Sequence, residues 1–466
     1  MPRELLDQLA TLARQSRSRV YIVGGYVRDR LLGREPVDLD LMVEGDTAPF
    51  LAALARRAGH QPVLFARHEP ATHRVALGDW LVDVSSFPHG GLAQELRRRD
   101  FTINALALPL EEPDGDPIDP LGGRGDLTAG RLRHVSEAGL DEDPLRLLRA
   151  VRLSVVLEGF TLAPDLGAAI RSRAGLLSSV AVERVLAELE VILASPRAGH
   201  GLRLMDDLGL LGATLPELSP LAGLQQNLWH RHDALEHTLR AVEEVDALQA
   251  LPALPWVGIR LNEEDAELLK WAALWHDTGK AETAARDDQG QMHFYGHETV
   301  SASLCRTRMS RLRMSDRKVD RLVTLVSHHL RLTLLAAGQP PSDRSLRRLI
   351  HQVKYDTPLL CLLALADRRS GGGPDFEQRL ARLEELSARV MGLFTQEAER
   401  VIAPHALLTG HEVMALLGIG PGPRVGAVLR WLTRLQVDGR IRNRDEALEH
   451  VRVLPASRLM ALDDDP

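Results

Sequence analysis

The chain has 466 residues, 44% hydrophobic and 26% charged, with a net charge of −7. At roughly 100–200 residues per domain this is a globular protein of two to four domains, which excludes a mainly disordered chain. Aromatic residues are only 4%, which argues against a single-strand RNA platform of stacked rings, and with a net charge of −7 any nucleic-acid contact would rest on local basic patches.

In chain order, the first 130 residues read as mixed α/β. Arg19 to Val23 reads as a strand broken by Gly24-Gly25, and Val27 to Leu32 as a short helix ended by Gly33. Val37 to Val43 alternates as a second strand, and Ala48 to Ala58 is helical. Val75 to Leu77 and Trp80 to Val84 flank the Gly78-Asp79 turn as a hairpin. Gly, Pro and Asp cluster from Glu112 to Gly130 and mark a boundary. Beyond about residue 140 the pattern is helical, with amphipathic stretches at Val180 to Leu193 and Leu202 to Leu211 and a joint at Pro216 and Pro220. Ser370 to Pro374 reads as a flexible linker, followed by helices around 376–400, 410–418 and 424–435. The apolar run Leu359 to Ala366 falls short of the ~18–20 residues a membrane helix needs. Residues 1–20 lack a secretory apolar core, and Cys305 and Cys361 are the only cysteines. That excludes a disulfide framework or four-cysteine zinc site and fits a cytoplasmic protein.

The head carries the first chemical pattern. Val23-Gly24-Gly25-Tyr26-Val27-Arg28-Asp29 precedes Val37-Asp38-Leu39-Asp40-Leu41. Residues i and i+2 of a strand share a face, so Asp38 and Asp40 converge. Paired carboxylates suit magnesium, which commonly keeps one or two of them plus substrate phosphates. Gly24 and Gly25 let the backbone approach a phosphate, a helix start adds N–H donors, and Arg28 can clamp a phosphate oxygen. These parts fit two-metal phosphoryl transfer.

This run, Gly-Gly-x-Val-Arg-Asp-x-Leu-Leu-Gly followed by Asp-x-Asp, resembles the class II tRNA nucleotidyltransferases, the CCA-adding enzymes and bacterial poly(A) polymerases. The resemblance implies a polymerase-beta-like α/β head, followed by a mostly α-helical neck, HD domain and tail. Arg98-Arg99-Asp100-Phe101-Thr102-Ile103-Asn104 is similar to the family's second motif, which implies that Arg99, Asp100 and Asn104 hold the ribose and triphosphate. Asp119 to Leu127 resembles the head-to-neck connector. The superfamily also implies a third carboxylate. Asp83, on a candidate strand, is the choice, and a solvated strand residue is the other reading.

Glu142-Asp143-Pro144-Leu145-Arg146 opens the helical region, with Arg149 and Arg152 following on one face. Pro144 suits a first helical turn, and the acidic residue before it suits a cap. A carboxylate accepts from an exocyclic amine and a guanidinium donates to ring nitrogens. Cytosine N4 and adenine N6 are both donors beside an acceptor, so Asp143 and Arg146 can read C and A without a nucleic-acid template. The segment resembles the family's templating helix, and the resemblance extends nucleotide binding to Arg149 and Arg152. Ser179 to Leu189 resembles the motif that supports the neck and reads as structural.

Histidines carry the third pattern. His237, His276-Asp277 and Asp367 follow the H…HD…D order of the HD phosphohydrolases, and Thr278-Gly279-Lys280 continues the match. Imidazole and carboxylate suit divalent transition metals. His297, His328 and His329 resemble the two-metal variants, with His297 and His328 at the second ion; manganese, nickel or cobalt would suit the site. In the tail, Arg424, Arg430 and Arg434 follow a glycine-rich turn that could meet RNA phosphate, the other reading being a helix pair made for packing.

The expected organisation is a head at 1–130, a neck at 131–225, an HD-type domain at 226–370 and a tRNA-binding tail at 371–466. The expected activity is magnesium-dependent addition of CC, from CTP, to the 3′ end of tRNA. The family's CCA-adding members carry a longer flexible segment between the third-carboxylate strand and the Arg-Arg-Asp motif. Here only Val84 to Arg99 separates Asp83 from Asp100. Complete CCA addition with CTP and ATP, poly(A) polymerisation, and a phosphohydrolase whose head only binds RNA are the alternatives.

Overall fold

The computed structural model describes residues 3–66, 71–227, 231–252 and 260–454. Its contacts divide the chain into two compact units, Met1–Ile192 with Arg203–Thr214, and Leu193–Leu202 with Leu215–Pro466.

The first unit opens with helix α1 (Arg3–Ser16) and strand β1 (Val20–Val23), then α2 (Gly25–Leu31), β2 (Leu39–Glu44), α3 (Ala48–Ala58), β3 (Val63–Ala66), β4 (Thr72–Leu77), β5 (Trp80–Phe87), α4 (Leu92–Leu96) and β6 (Ala107–Pro109). The six strands form one sheet in the order β3-β4-β5-β2-β1-β6. Only β2 and β5 run parallel; the remaining neighbours are antiparallel. β2 and β1 lie inside the sheet, and Ile22, Val23, Leu39, Leu41 and Val43 are fully buried. Helix α3 has the expected limits because Pro49 suits its first turn and Gly59, at φ +76°, ends it in the left-handed region. The hairpin turn at Gly78-Asp79 is as expected, with Leu77 opposite Trp80. β3 escaped the sequence reading. It is an edge strand whose Val63 and Leu64 are exposed, so it lacks alternation. β2 begins two residues later than the expected Val37, leaving Asp38 just ahead of the strand and exposed, so the shared strand face assumed for Asp38 and Asp40 is not formed.

The same unit continues through α5 (Gly123–Thr128), α6 (Glu137–Glu142), α7 (Leu145–Val156), α8 (Pro164–Arg173) and α9 (Val182–Ala194). α10 (Ala198–Asp207) bridges the two units in sequence, and α11 (Leu210–Thr214) closes the first.

Among its described residues the second unit is helical apart from one two-stranded ribbon. It contains α12 (Ala234–Gln249), α13 (Glu263–Trp275), α14 (Lys280–Thr283), α15 (His297–Arg311), α16 (Asp316–His328), α17 (Leu330–Ala337), α18 (Asp343–Val353) and α19 (Thr357–Ser370). α20 (Phe376–Ile402), α21 (Gly410–Leu417), α22 (Pro423–Val437) and α23 (Arg444–Arg452) complete it. α19 is its axis. Leu359 to Ala366, the longest apolar run singled out above, is buried throughout, with α12, α13 and α20 packed on it. The segment after Ser370, expected to be a flexible linker, carries a buried glycine. Gly372 is buried, and a Cβ there would lie 2.7 Å from Arg231 Cγ. α21 to α23 share a core of Leu408, Val413, Val428, Leu432, Ala447 and Val451, and a Thr409–Glu412 capping box starts α21. Among the described residues no helix is long and apolar enough to cross a membrane.

Candidate active site

The sheet brings the head's carboxylates together. Asp40 on β2 is the register partner of Val23 on β1 and of Asp83 on β5. Register neighbours share a sheet face, so Asp40 and Asp83 stand side by side. Burial raises the Asp40 pKa above the usual carboxylate range; Arg99 opposes that rise, and Asp83 and Asp38 add to it. Three mutually repelling carboxylates, one of them desolvated, are relieved by a divalent cation, so the residues fit magnesium. Gly24 makes this closeness possible. Its φ is +72°, and a Cβ there would lie 3.0 Å from both Arg99 Nη1 and Asp40 Oδ2.

Asp83 is half-buried and paired. Arg74, opposite it on β4, donates from Nε to Oδ1 and from Nη2 to Oδ2, both at 2.7 Å. The sequence contained the signal for this partner. A turn that sets Leu77 against Trp80 also sets position 74 against 83.

The second motif folds into a hydrogen-bond chain. Arg28 grips Asp29 through two bonds of 2.8 Å and donates to Asn104 Oδ1 at 2.9 Å. Asn104 Nδ2 donates to Asp100 Oδ1 at 3.1 Å, as does the Phe101 N–H at 2.8 Å. Arg149 Nη2 lies 2.9 Å from Asp100 Oδ2. Burial would raise the Asp100 pKa, but Arg149 and these hydrogen bonds outweigh it and hold the carboxyl below the usual range. Arg152 instead pairs with Glu188 at 2.9 Å. Arg149 and Arg152, expected at the nucleotide, are thus engaged in protein ion pairs.

Asp143 does not cap the helix that follows it. It sits at the non-helical junction of α6 and α7, with φ −135° and ψ 89°. Its carboxylate accepts two bonds from Arg184 on α9, of 3.2 and 2.9 Å. Arg146 turns to the second motif and donates to the Arg98 carbonyl at 2.8 Å. Arg184 escaped the sequence reading, in which its segment was structural; no local spacing links it to Asp143.

The histidine pattern converges in the second unit. His237 comes from α12, His276 and Asp277 follow α13, His297 starts α15, His329 lies between α16 and α17, and Asp367 is on α19. His237 and His276 face each other at 3.3 Å between Nε2 atoms, and His297 and His329 at 3.2 Å. Asp277 joins the pairs: Oδ2 lies 3.1 Å from His276 Nε2, and Oδ1 lies 3.1 Å from His297 Nε2. Asp367 Oδ1 is 3.1 Å from His237 Nε2. The Nδ1 atoms of His276, His297 and His329 meet the carbonyls of Ala273, Phe294 and Val326 at 2.7–2.8 Å, and a carbonyl can only accept. A neutral imidazole held this way carries its proton on Nδ1 and offers Nε2 as a lone pair. Ring nitrogens and carboxylates at these distances make a donor set for cations, in two groups that share Asp277. Burial, then the neighbouring His276 and His297, push the His329 pKa down to about 3, which keeps its imidazole neutral. Lys280 Nζ contacts Asp277 Oδ2 at 2.5 Å.

His328 is not part of this cluster. It is half-buried, and its Nδ1 turns to the Thr324 carbonyl and Ser327 hydroxyl, both at 2.9 Å. At the end of α16 the backbone aims the second of the two adjacent histidines inward, a choice that spacing does not reveal. Arg424 and Arg430 of the tail are exposed and Arg434 half-buried on α22.

Comparison with known proteins accords with this geometry. Residues 20–133 match the poly A polymerase head domain, 159–221 the probable RNA and SrmB-binding site of polymerase A, and 234–372 the HD domain. The chain is 39% identical over 439 residues to an A-adding tRNA nucleotidyltransferase of Deinococcus radiodurans, covering 92% of this chain and 94% of the relative. It is 36% identical to a CC-adding tRNA nucleotidyltransferase of Thermus thermophilus, over 91% of each. In fold it is similar to the CCA-adding enzyme of Bacillus stearothermophilus in complex with CTP, with a TM-score of 0.63 and 23% identity over the full length of both. It is also similar to the Thermotoga maritima CCA-adding enzyme complexed with tRNA, with a TM-score of 0.60 and 21% identity over 96% and 94% of the two chains.

Proposed function

Since the chain belongs to the tRNA nucleotidyltransferase family, we propose that it adds two cytidines from CTP to the 3′ end of tRNA in the cytoplasm and stops there. The observation that carries this reading is the closed connection from β5 to the second motif. Only Pro88 to Gly91 separate β5 from α4. This connection is tied down: the Gly90 N–H donates to Glu44 Oε1 at 2.7 Å, and the Gly45 N–H donates to the Phe87 carbonyl at 2.7 Å. A purine is wider than a pyrimidine, so a pocket that takes C must shift to take A. The family resemblance places that shift in a longer mobile segment at this point. A short pinned connection leaves the pocket in its C-selective shape, and induced fit of this kind governs rate as much as affinity. A-adding and CC-adding relatives stand at similar identity, so identity does not discriminate between them.

The residues divide the work as follows. Magnesium at Asp38 and Asp40, with Asp83 as the third carboxylate, would neutralise triphosphate charge and lower the barrier to attack by the tRNA 3′-hydroxyl. The Gly24-Gly25 backbone and Arg28 receive phosphate oxygens, and Arg99, Asp100 and Asn104 hold the ribose and triphosphate. Arg149 keeps Asp100 ionised and oriented, and the Arg152–Glu188 pair ties α7 to α9. Asp143 accepts from cytosine N4, and Arg146 donates to the ring acceptor beside it. Arg424, Arg430 and Arg434 on α22 meet tRNA phosphates.

The histidine cluster supports a second activity, hydrolysis of cyclic phosphates and phosphomonoesters at RNA ends, with manganese, nickel or cobalt in the two groups that share Asp277.

The deciding experiment extends tRNA lacking its terminal CCA, with CTP and ATP together, on a sequencing gel. Product ending in CC is expected. Efficient formation of CCA, or addition of A to tRNA already ending in CC, overturns the reading.

A further inference from the structure

We propose that Arg184 is a positioning residue for nucleotide choice, holding the Asp143 carboxylate in the orientation that accepts the exocyclic amine of an incoming cytosine. This rests on the reading of Asp143 and Arg146 as the base-recognising pair.

The arrangement follows from where the chain puts the two residues. Asp143 occupies the break between α6 and α7, so helical geometry does not constrain its side chain. Its side chain is about one quarter exposed, at 27%. Unheld, such a carboxylate would sample several rotamers. Arg184, in the first turn of α9, removes that freedom. Nη1 donates to Oδ1 at 3.2 Å and Nη2 to Oδ2 at 2.9 Å, a planar fork that fixes position and plane together. Arg146 is held as firmly. Its guanidinium lies on the Arg98 carbonyl and passes so close to Gly139 that a Cβ there would sit 2.5 Å from Nη1. Both arms of the pair are therefore oriented before a nucleotide arrives.

The fork leaves Asp143 able to work. An ionised carboxylate has about four lone-pair sites. Arg184 uses one on each oxygen, and the remaining ones accept from cytosine N4. Uracil presents a carbonyl oxygen at the same edge, which a fixed carboxylate repels. Discrimination between C and U thus depends on Asp143 being held still and charged. Because Arg184 is half exposed, the ion pair contributes little to stability, and its loss is felt in orientation.

The test compares kcat and KM for CTP and UTP in wild type, Arg184→Ala, Arg184→Lys, Asp143→Ala and the double variant, each checked for folding by thermal melting. Arg184→Ala is expected to lower the CTP-over-UTP ratio of kcat/KM about 10-fold, within the range for one base-edge pair. Arg184→Lys, which keeps the charge and loses the fork, should fall between it and wild type. Millimolar guanidinium ion should restore selectivity to Arg184→Ala. The double variant should be no less selective than Asp143→Ala. Should Arg184→Ala fail to fold, Arg184→Gln carries the same expectation. If Asp143→Ala loses selectivity while Arg184→Ala keeps it, the proposal falls and the base-reading assignment stands. Equal losses for CTP and UTP in Arg184→Ala also overturn the proposal. If Asp143→Ala itself keeps wild-type selectivity, both are overturned.

Discussion

Asp40 and Asp83 are register partners on the two parallel strands of the sheet, and the Arg74 fork holds Asp83 in place beside Asp40. Asp40 is half-buried beside the Asp83 carboxylate, and its pKa is raised first by desolvation. An acid whose folded pKa lies above its unfolded one contributes stability below the unfolded value, and that contribution is lost as pH rises through the folded value. Above its raised folded pKa, an ionised Asp40 thus costs the fold energy.

The first prediction follows from that sign. Asp40→Asn should raise the melting temperature at pH 7 in metal-free buffer, with the gain shrinking as pH falls toward 4. It should also abolish nucleotide addition and the stabilisation that magnesium gives wild type. Asp38→Ala, at an exposed position, should abolish addition with the fold intact. Calorimetry over a pH series with and without magnesium, alongside incorporation of labelled CTP, checks each part. Normal incorporation by either variant removes the metal assignment.

The second prediction concerns Gly24. A Cβ at φ +72° is strained, and here it would also press on Arg99 and Asp40 at 3.0 Å. Gly24→Ala should lower kcat/KM for CTP by on the order of 100-fold, since misplacement of about 1 Å in a phosphoryl-transfer site costs that much. Gly33→Ala is the control, because Gly33 has a similar φ of +68° and nothing within 4 Å of its Cβ position. It should lose stability and keep activity per folded molecule. Equal activity in the two variants would show that close approach at Gly24 is unimportant.

The third prediction separates adjacent histidines. His329→Ala should remove one of two bound metal ions per chain and reduce hydrolysis of 2′,3′-cyclic phosphates, whereas His328→Ala should leave both unchanged. His276→Ala should affect the other ion. Elemental analysis after reconstitution with manganese, nickel or cobalt counts the ions, and nucleotide addition should be unaffected throughout. Equal metal loss from His328→Ala would contradict the orientation of the α16 end.

Much of this protein is legible in its sequence because the chemistry rests on short local patterns. The glycine pair, Asp38 and Asp40, the Arg99–Asp100 run and the H…HD…D order each sit within a few residues or keep a fixed order, although the strand period misplaced Asp38, which lies ahead of β2. The helical body was legible for the same reason, since an apolar stripe repeats every few residues. Tertiary structure decided what depends on approach between distant segments. Arg184 meets Asp143 only because the fold brings the first turn of α9 to the α6–α7 junction, and neither residue's neighbours announce the other. Arg74 was within reach of hairpin arithmetic, yet its fork with Asp83 is fixed only once the strands pair. Which of His328 and His329 turns inward depends on the rotation of α16 where it ends, a matter of about 100° per residue that composition does not record. The glycine run after Ser370 reads as flexible because glycine permits it, yet in the fold Gly372 is buried with Arg231 close against it. Sequence sets what a residue can do, and packing sets which of those options the folded chain keeps.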